Sequence, residues 1–190
     1  MNDDVAAAVA ALRRGEVVAY PTETFYGLGV DPFNAAALER LRALKGRGEK
    51  AISMLIEGDQ MLARLVAEVP PRARALMARH WPGALTLALP SRAGLPDALV
   101  SDGCVAVRQS PHPVARALVA AFGGPVTTTS SNRSGEPPAT TAAAVRAALG
   151  DGCHVLDGGA TAGGAPSTLA RVRGDSVEIL RAGAVPLSEP

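Results

Sequence analysis

The period of apolar and polar positions changes repeatedly along the chain, and each change marks an element. An amphipathic stretch opening on Asp3 or Asp4 predicts a helix to about Arg14, stopped by Gly15. EVVAY (16–20) predicts a strand, and PTETFYGLG (21–29) a loop punctuated by Pro and Gly. Asn34 caps a predicted helix, AAALERLRALKG, that sets Leu38, Leu41 and Leu44 on one face. AISMLIE (51–57) predicts a buried strand. Two helices follow, over roughly 59–68 and 71–80, the second opening Pro-Pro. HWPG turns into a strand ALTLALP (84–90), and CVAVRQ (104–109) is a further strand. HPVARALVAAFGG predicts a helix closed by glycines. PVTTTS (125–130) predicts a strand that runs into a polar loop, and residues 140–149 predict a helix. HVLDGG, PSTLARV and VEILRAG predict three closing strands.

Strands and helices are interleaved, with no repeat and no long linker, so the class is α/β. The close-set strands at the C-terminus suit antiparallel hairpins, and a mixed sheet is expected. The length, 190 residues, fits one domain or a tight pair of lobes. Hydrophobic residues make up 47% and aromatics only 3%, so the core is built from Ala, Val and Leu. The formal charge of +1 gives no global field for polyanions, and any anion site has to come from local placement. Lys occurs only at Lys45 and Lys50, which sets those two apart from the abundant Arg.

Two Cys (Cys104, Cys153) and three scattered His (His80, His112, His154) have no zinc-like spacing. Unpaired cysteines fit a reducing compartment. The acidic, amphipathic N-terminus is unlike a signal peptide, and no apolar run reaches membrane-spanning length. A soluble, cytoplasmic protein with no membrane partner is expected.

Four stretches carry candidate chemistry. LKGRGEK places Lys45, Arg47 and Lys50 together with two glycines at a helix C-terminus. That cluster suits a polyphosphate, and it equally suits a helix dipole with solvated charge. It is not a P-loop, because the glycine spacing differs and no Ser or Thr follows the Lys. TTTSSNRSG, at a strand end, can line a ligand at the edge where open α/β sheets bind one, or form an ordinary Ser/Thr/Asn turn. PTETFYGLG offers Thr22, Glu23 and Thr24 beside glycines that permit close approach, or is a structural turn. HWPGALT holds Trp81, read as core, and Thr86, which can face either way. His112 lies between two prolines and reads as a helix-start residue. There is no Ser-His-Asp or Cys-His arrangement and no evident carboxylate pair, so positioning and electrostatic stabilisation are the expected means of catalysis, as in phosphoryl or nucleotidyl transfer.

Taken in order, VVAYPTETFYGLG, LKGR with a trailing Lys, HWPGALTLALP, VAVRQSPHPVARAL, TTSSNRSGEPPATT, LDGG, APSTLARV and ILRAG resemble the YrdC-type threonylcarbamoyl-AMP synthase family from about residue 8 to 185. The resemblance implies a single YrdC-like domain over 1–190, a twisted mixed sheet flanked by helices with a concave ligand cavity. It implies synthesis of L-threonylcarbamoyl-AMP and pyrophosphate from L-threonine, bicarbonate and ATP, for N6-threonylcarbamoyladenosine in tRNA. Lys45, Arg47, Ser130 and Asn132 match the family's K-x-R and S-x-N pairs and are the implied catalytic residues. Arg47, Lys50, Thr86, Ser130 and Arg181 are implied for ATP, and Thr24, Arg108, Thr128 and Ser167 for threonine. Mg²⁺ is the implied cofactor, bound mainly through the ATP phosphates. Downstream tRNA threonylcarbamoyl-transfer proteins and weak tRNA contact are further candidate partners.

The chain departs from the family in small ways. Gly48 stands where Pro is usual, the stretch to Lys50 is one residue shorter, ISMLI lacks a His common on that strand, and Ser131 replaces an Ala. The alternative function is a catalytically silent YrdC-like RNA- or nucleotide-binding protein. Low net charge and few aromatics disfavour a stacking platform for RNA. A carbamoyl-transfer domain of hydrogenase maturation would sit in a larger fusion whose zinc-finger cysteines are absent here.

Overall fold

The structure, a computed structural model, describes residues 3–46, 51–133 and 135–187. The chain opens with α1 (Asp3–Arg13), whose first turn carries Asp3 and Asp4 and whose last turn carries Arg13, as the helix dipole favours. A hairpin follows, β1 (Val18–Pro21) and β2 (Tyr26–Gly29). Then come α2 (Ala35–Lys45), β3 (Ser53–Leu55), α3 (Asp59–Leu62), α4 (Pro71–His80) and β4 (Leu85–Pro90). β5 (Val100–Ser101), β6 (Cys104–Arg108), α5 (Pro113–Phe122), β7 (Val126–Ser130) and α6 (Ala142–Leu149) continue the alternation. β8 (His154–Val155) and the hairpin β9 (Thr168–Arg173) and β10 (Ser176–Arg181) close it.

The strands form a mixed sheet ordered β10-β9-β4-β6-β3-β7-β2-β1-β8, with β5 on β6. The pairs β1–β8, β3–β6 and β4–β9 are parallel, and the others are antiparallel. Alternation along β1 shows why two layers form. Val18 and Tyr20 belong to the cluster under α1 and α5, with Val5, Leu12, Leu118 and Val119. Ala19 points the other way, into the larger cluster with Leu38 and Leu41 of α2 and Val145 and Leu149 of α6.

The caps follow chemistry visible in the sequence. The Asn34 side chain accepts from the Ala37 amide at 3.1 Å, and α2 ends on Gly46 in the left-handed region. His112 caps α5, its ring Nδ1 accepting from the Val114 amide at 3.3 Å, which bears out its helix-start role. The Trp81 ring packs against the larger core cluster and its indole N–H donates to the Leu85 carbonyl at 2.8 Å, as expected for core. Cys104 is buried and Cys153 half-buried, and both are free thiols.

Four expectations are corrected. PTETFYGLG is not all loop, because Tyr26–Gly29 pairs with both β1 and β7. Its glycines hid the strand, and packing explains them. A Cβ on Gly29 would lie 2.5 Å from Val126 Cγ1 and 2.8 Å from Tyr20 Cε1. The buried Tyr20 ring therefore lies across the strand where side chains would stand. The helix expected over 59–68 stops at Leu62, because Val66 bridges to Ser91 and the Ala67 amide donates to the Pro90 carbonyl. The strand expected over 51–57 is only Ser53–Leu55. Of the three closing strands, β8 has two residues and lies at the opposite edge of the sheet from the β9–β10 hairpin. No described helix is long and apolar enough to cross a membrane.

Candidate active site

The face of the sheet under α1 and α5 is only partly covered. Leu55 and Val126 lie beneath those helices. Two residues back along β3 and two residues on along β7, the same face presents Ser53 and Thr128, which are register partners. Leu55 is paired with Arg108, Arg108 with Thr86, and Gly27 with Ser130. Polar side chains thus replace apolar ones where the helical cover ends. A cavity of about 630 Å³ opens there, a size suited to a small-molecule ligand. From β4 to β2 it crosses four strand spacings, about 19 Å at ~4.8 Å each, long enough for an extended nucleotide.

The described candidate residues are brought together from seven segments. Thr24, Lys45, Thr86, Arg108, Thr128, Ser130, Asn132, Ser167 and Arg181 all line this cavity. Arg47 and Lys50 lie outside the described residues.

At one end stands Lys45, the last residue of α2, only 4% exposed. Its Nζ donates to the Ser130 carbonyl at 2.5 Å, the Asn132 carbonyl at 3.0 Å and Asn132 Oδ1 at 3.4 Å. The Asn132 amide in turn donates to the carbonyls of Arg133 and Glu136. The two motif pairs, far apart in sequence, are therefore tied through one ammonium group. It orients the loop after β7 and is itself fixed at the cavity wall.

At the other end, Arg181 of β10 donates to the Ser167 carbonyl at 2.8 Å and to Ser167 Oγ at 3.2 Å. Ser167 Oγ and Thr86 Oγ1 are 2.9 Å apart and share a hydrogen bond. Thr86, which could have faced either way, faces the cavity. Burial pulls the Arg181 pKa below the usual guanidinium value.

Between the ends lies Arg108, 6% exposed. Burial, helped by nearby Arg181 and opposed by Tyr20, pulls it down to about 10, so it stays charged at neutral pH. Its Nη2 donates to Glu23 Oε1 in an ion pair. Thr22 Oγ1 donates to the Phe25 carbonyl at 2.7 Å, which closes the β1–β2 turn and carries Thr24 to the wall.

Sequence reasoning left several participants out of the site. Phe25, Ser53 and Pro166 also line the cavity, as does Thr22, which PTETFYGLG had already offered. Ser53 carried a signal: it is the one polar side chain within an otherwise apolar ISMLI strand. Glu23 was visible in PTET but had no partner to suggest a role. Ser110, which donates to Glu23 Oε2 at 2.5 Å, carried no signal at all.

The arrangement suits an anionic ligand. Three cationic side chains, Lys45, Arg108 and Arg181, face one trough ringed by hydroxyls. Among the described lining residues there is no carboxylate, and among the described residues no cluster of three or more His, Cys, Asp or Glu could hold a metal ion.

Comparison with known proteins agrees with this picture. The Sua5/YciO/YrdC family model, described as telomere recombination, matches residues 10–183. The chain is 47% identical over 169 residues to the threonylcarbamoyl-AMP synthase of Chromohalobacter salexigens, covering 88% of this chain and 91% of that one. It is 40% identical over 193 residues to the threonylcarbamoyl-AMP synthase of Bacillus subtilis, covering 97% of this chain and 55% of that one. Its fold is similar to that of P. abyssi Sua5 complexed with L-threonine, with a TM-score of 0.91 and 34% identity, over 96% of this chain and 55% of that chain. The chain thus spans little more than half the length of the Bacillus and P. abyssi proteins. With the motif order, the sheet and the family model in agreement over nearly all of its length, the chain belongs to the Sua5/YciO/YrdC family.

Proposed function

We propose that the chain is an L-threonylcarbamoyladenylate synthase, which joins L-threonine, bicarbonate and ATP into threonylcarbamoyl-AMP and pyrophosphate for tRNA modification in the cytoplasm. One observation carries this reading: a single trough gathers three cations and a row of hydroxyls, in a chain 47% identical over 169 residues to a threonylcarbamoyl-AMP synthase.

The chemistry has two bond-forming steps. The threonine amine attacks CO2 derived from bicarbonate, forms an N–C bond and loses a proton, leaving an N-carboxylate. A carboxylate oxygen then attacks the α-phosphorus of ATP as the bond to pyrophosphate breaks. Both partners are anions, so the reaction needs cations already in place. Lys45, held by Ser130 and Asn132, supplies one at the end of the trough. Its charge offsets the negative charge shared by the attacking carboxylate and the phosphate. Arg47 and Lys50, which lie outside the described residues, are the further cations assigned to the leaving pyrophosphate. Arg181 and Thr86 hold the nucleotide at the other end. Arg108, Thr24, Thr128 and Ser167, the last hydrogen-bonded to both Arg181 and Thr86, hold threonine between them. Burial of most of these groups excludes water and strengthens each interaction.

Mg²⁺ fits this site as an ion carried on the ATP phosphates. The side-chain donors at the wall are mainly hydroxyls and cations, which suit phosphate oxygens better than a bare metal ion. When bound it neutralises phosphate charge. Residues from about 8 to 185 act as one catalytic unit, and its mixed-anhydride product passes to downstream tRNA threonylcarbamoyl-transfer proteins.

The test is pyrophosphate release by the purified protein with ATP, Mg²⁺, L-threonine and bicarbonate, omitting each in turn. Release that needs all four, with serine a poor substitute, is the expected result. ATP binding without any threonine-dependent release would overturn the reading.

A further inference from the structure

Glu23 has no place in the chemistry above, yet its carboxylate is held at both oxygens beside the cavity. It lies in the turn between β1 and β2, with a side chain 17% exposed. Both of its oxygens are engaged. Oε1 accepts from Arg108 Nη2, and Oε2 accepts from Ser110 Oγ at 2.5 Å. Ser110 is 1% exposed, and its Oγ also accepts from the His112 amide at 3.2 Å. His112 in turn caps α5. The carboxylate is thus anchored to the start of a helix and grips one nitrogen of a buried guanidinium.

A second nitrogen of that guanidinium is left without a described partner. Arg108 Nε is buried and has no hydrogen-bond partner among the described residues. Arg108 itself lines the cavity. A buried N–H left unpaired is costly, and native sites keep one where a ligand completes it. A planar guanidinium held at one nitrogen and unfilled at another matches a carboxylate, which takes two parallel N–H groups.

We propose that Glu23 and Ser110 are positioning residues that aim the free edge of Arg108 at the α-carboxylate of the amino-acid substrate. They act through Arg108 and touch no reacting atom. The proposal rests on the synthase reading for the identity of that amino acid.

The experiment compares the wild type with Glu23→Gln and Ser110→Ala by steady-state pyrophosphate release and by calorimetric binding of L-threonine and L-threoninol, which lacks the carboxylate. Glu23→Gln keeps the size and an acceptor but removes the charge that grips Arg108. The expected result is a KM for threonine raised roughly ten- to hundredfold, from loss of a charge-assisted hydrogen bond in a buried pair. The KM for ATP and kcat should stay within about twofold of wild type. Ser110→Ala should give a smaller rise in the same direction. The preference for threonine over threoninol should shrink in Glu23→Gln, and Glu23→Gln should add nothing in an Arg108→Ala background. Equal weakening of threonine and threoninol, or a rise in both KM values, would overturn the proposal and assign Glu23 to structure. An unchanged threonine KM in a folded Glu23→Gln protein would overturn it too. Failure of the synthase reading is separate, because it appears as no threonine-dependent release by the wild type.

Discussion

Replacing Lys45 by Met keeps the length and apolar stem of the side chain and removes only the ammonium. In the structure that ammonium is 4% exposed as part of Lys45 and donates to the carbonyls of Ser130 and Asn132 at 2.5 and 3.0 Å. A unit charge about 4 Å from an anion at an effective dielectric of ~20 is worth about 4 kcal/mol. If the anion is the transition state for attack on the α-phosphate, the loss corresponds to roughly a thousandfold in kcat/KM. The effect on folding is smaller. Three charge-assisted hydrogen bonds disappear, but the cost of burying the ammonium disappears with them. The net cost is about 1–2 kcal/mol, a fall in Tm of about 2–8 °C for a domain of this size. The assay is pyrophosphate release at a temperature well below the variant's midpoint, with a thermal melt of the same preparation. A folded Lys45→Met protein that retains more than about a tenth of wild-type kcat/KM would refute the role assigned to the ammonium. A melt lowered by more than about 15 °C would show that Lys45 is a structural anchor of the loop instead.

Gly29→Ala should lower stability by about 1–3 kcal/mol in a thermal melt, because its Cβ would lie 2.5 Å from Val126 Cγ1 and 2.9 Å from the Thr127 carbonyl. Gly27→Ala meets the Thr128 hydroxyl at 3.2 Å and the Tyr20 ring at an ordinary 3.5 Å, so it should melt near wild type while weakening ligand binding in the cavity. Ser131 is fully buried and its Oγ has no partner among the described residues, so Ser131→Ala should raise stability by up to about 1 kcal/mol with activity retained. Burial raises the Cys153 thiol to about 11, which leaves little thiolate at neutral pH. Its alkylation by iodoacetamide should therefore be slow at pH 8 and rise with a midpoint near 11, and a midpoint below 9 would contradict its burial.

Elements with a plain period were legible in the sequence. α2 announces itself by Asn34, by leucines on one face and by Gly46, all of which act within a few residues. β2 was missed because its glycines answer to a ring folded over them from Tyr20, which no local pattern encodes. The helix after Asp59 was overextended because Leu65 and Val66 continue an apolar pattern, while a bridge to Ser91 ends it. The candidate site follows the same division. Lys45, Ser130 and Asn132 were legible through their motifs, whereas Ser110 follows a strand without any mark of its partner, Glu23.

The sequence by itself determined the α/β class, the caps, the apolar and polar faces and the residue types able to hold an anion. These depend on neighbours three or four positions apart, and on side-chain chemistry that travels with the residue. Only the tertiary structure decided which of those residues meet. Lys45 reaches Ser130 across 85 positions, and Glu23 reaches Arg108 across another 85. Contacts at that separation are set by strand order, with β3 and β6 brought beside β7 and β2, and by where α1 and α5 stop covering the sheet. Strand order is a property of the whole packed chain, settled when both faces of one sheet are buried together, so no single segment could carry it.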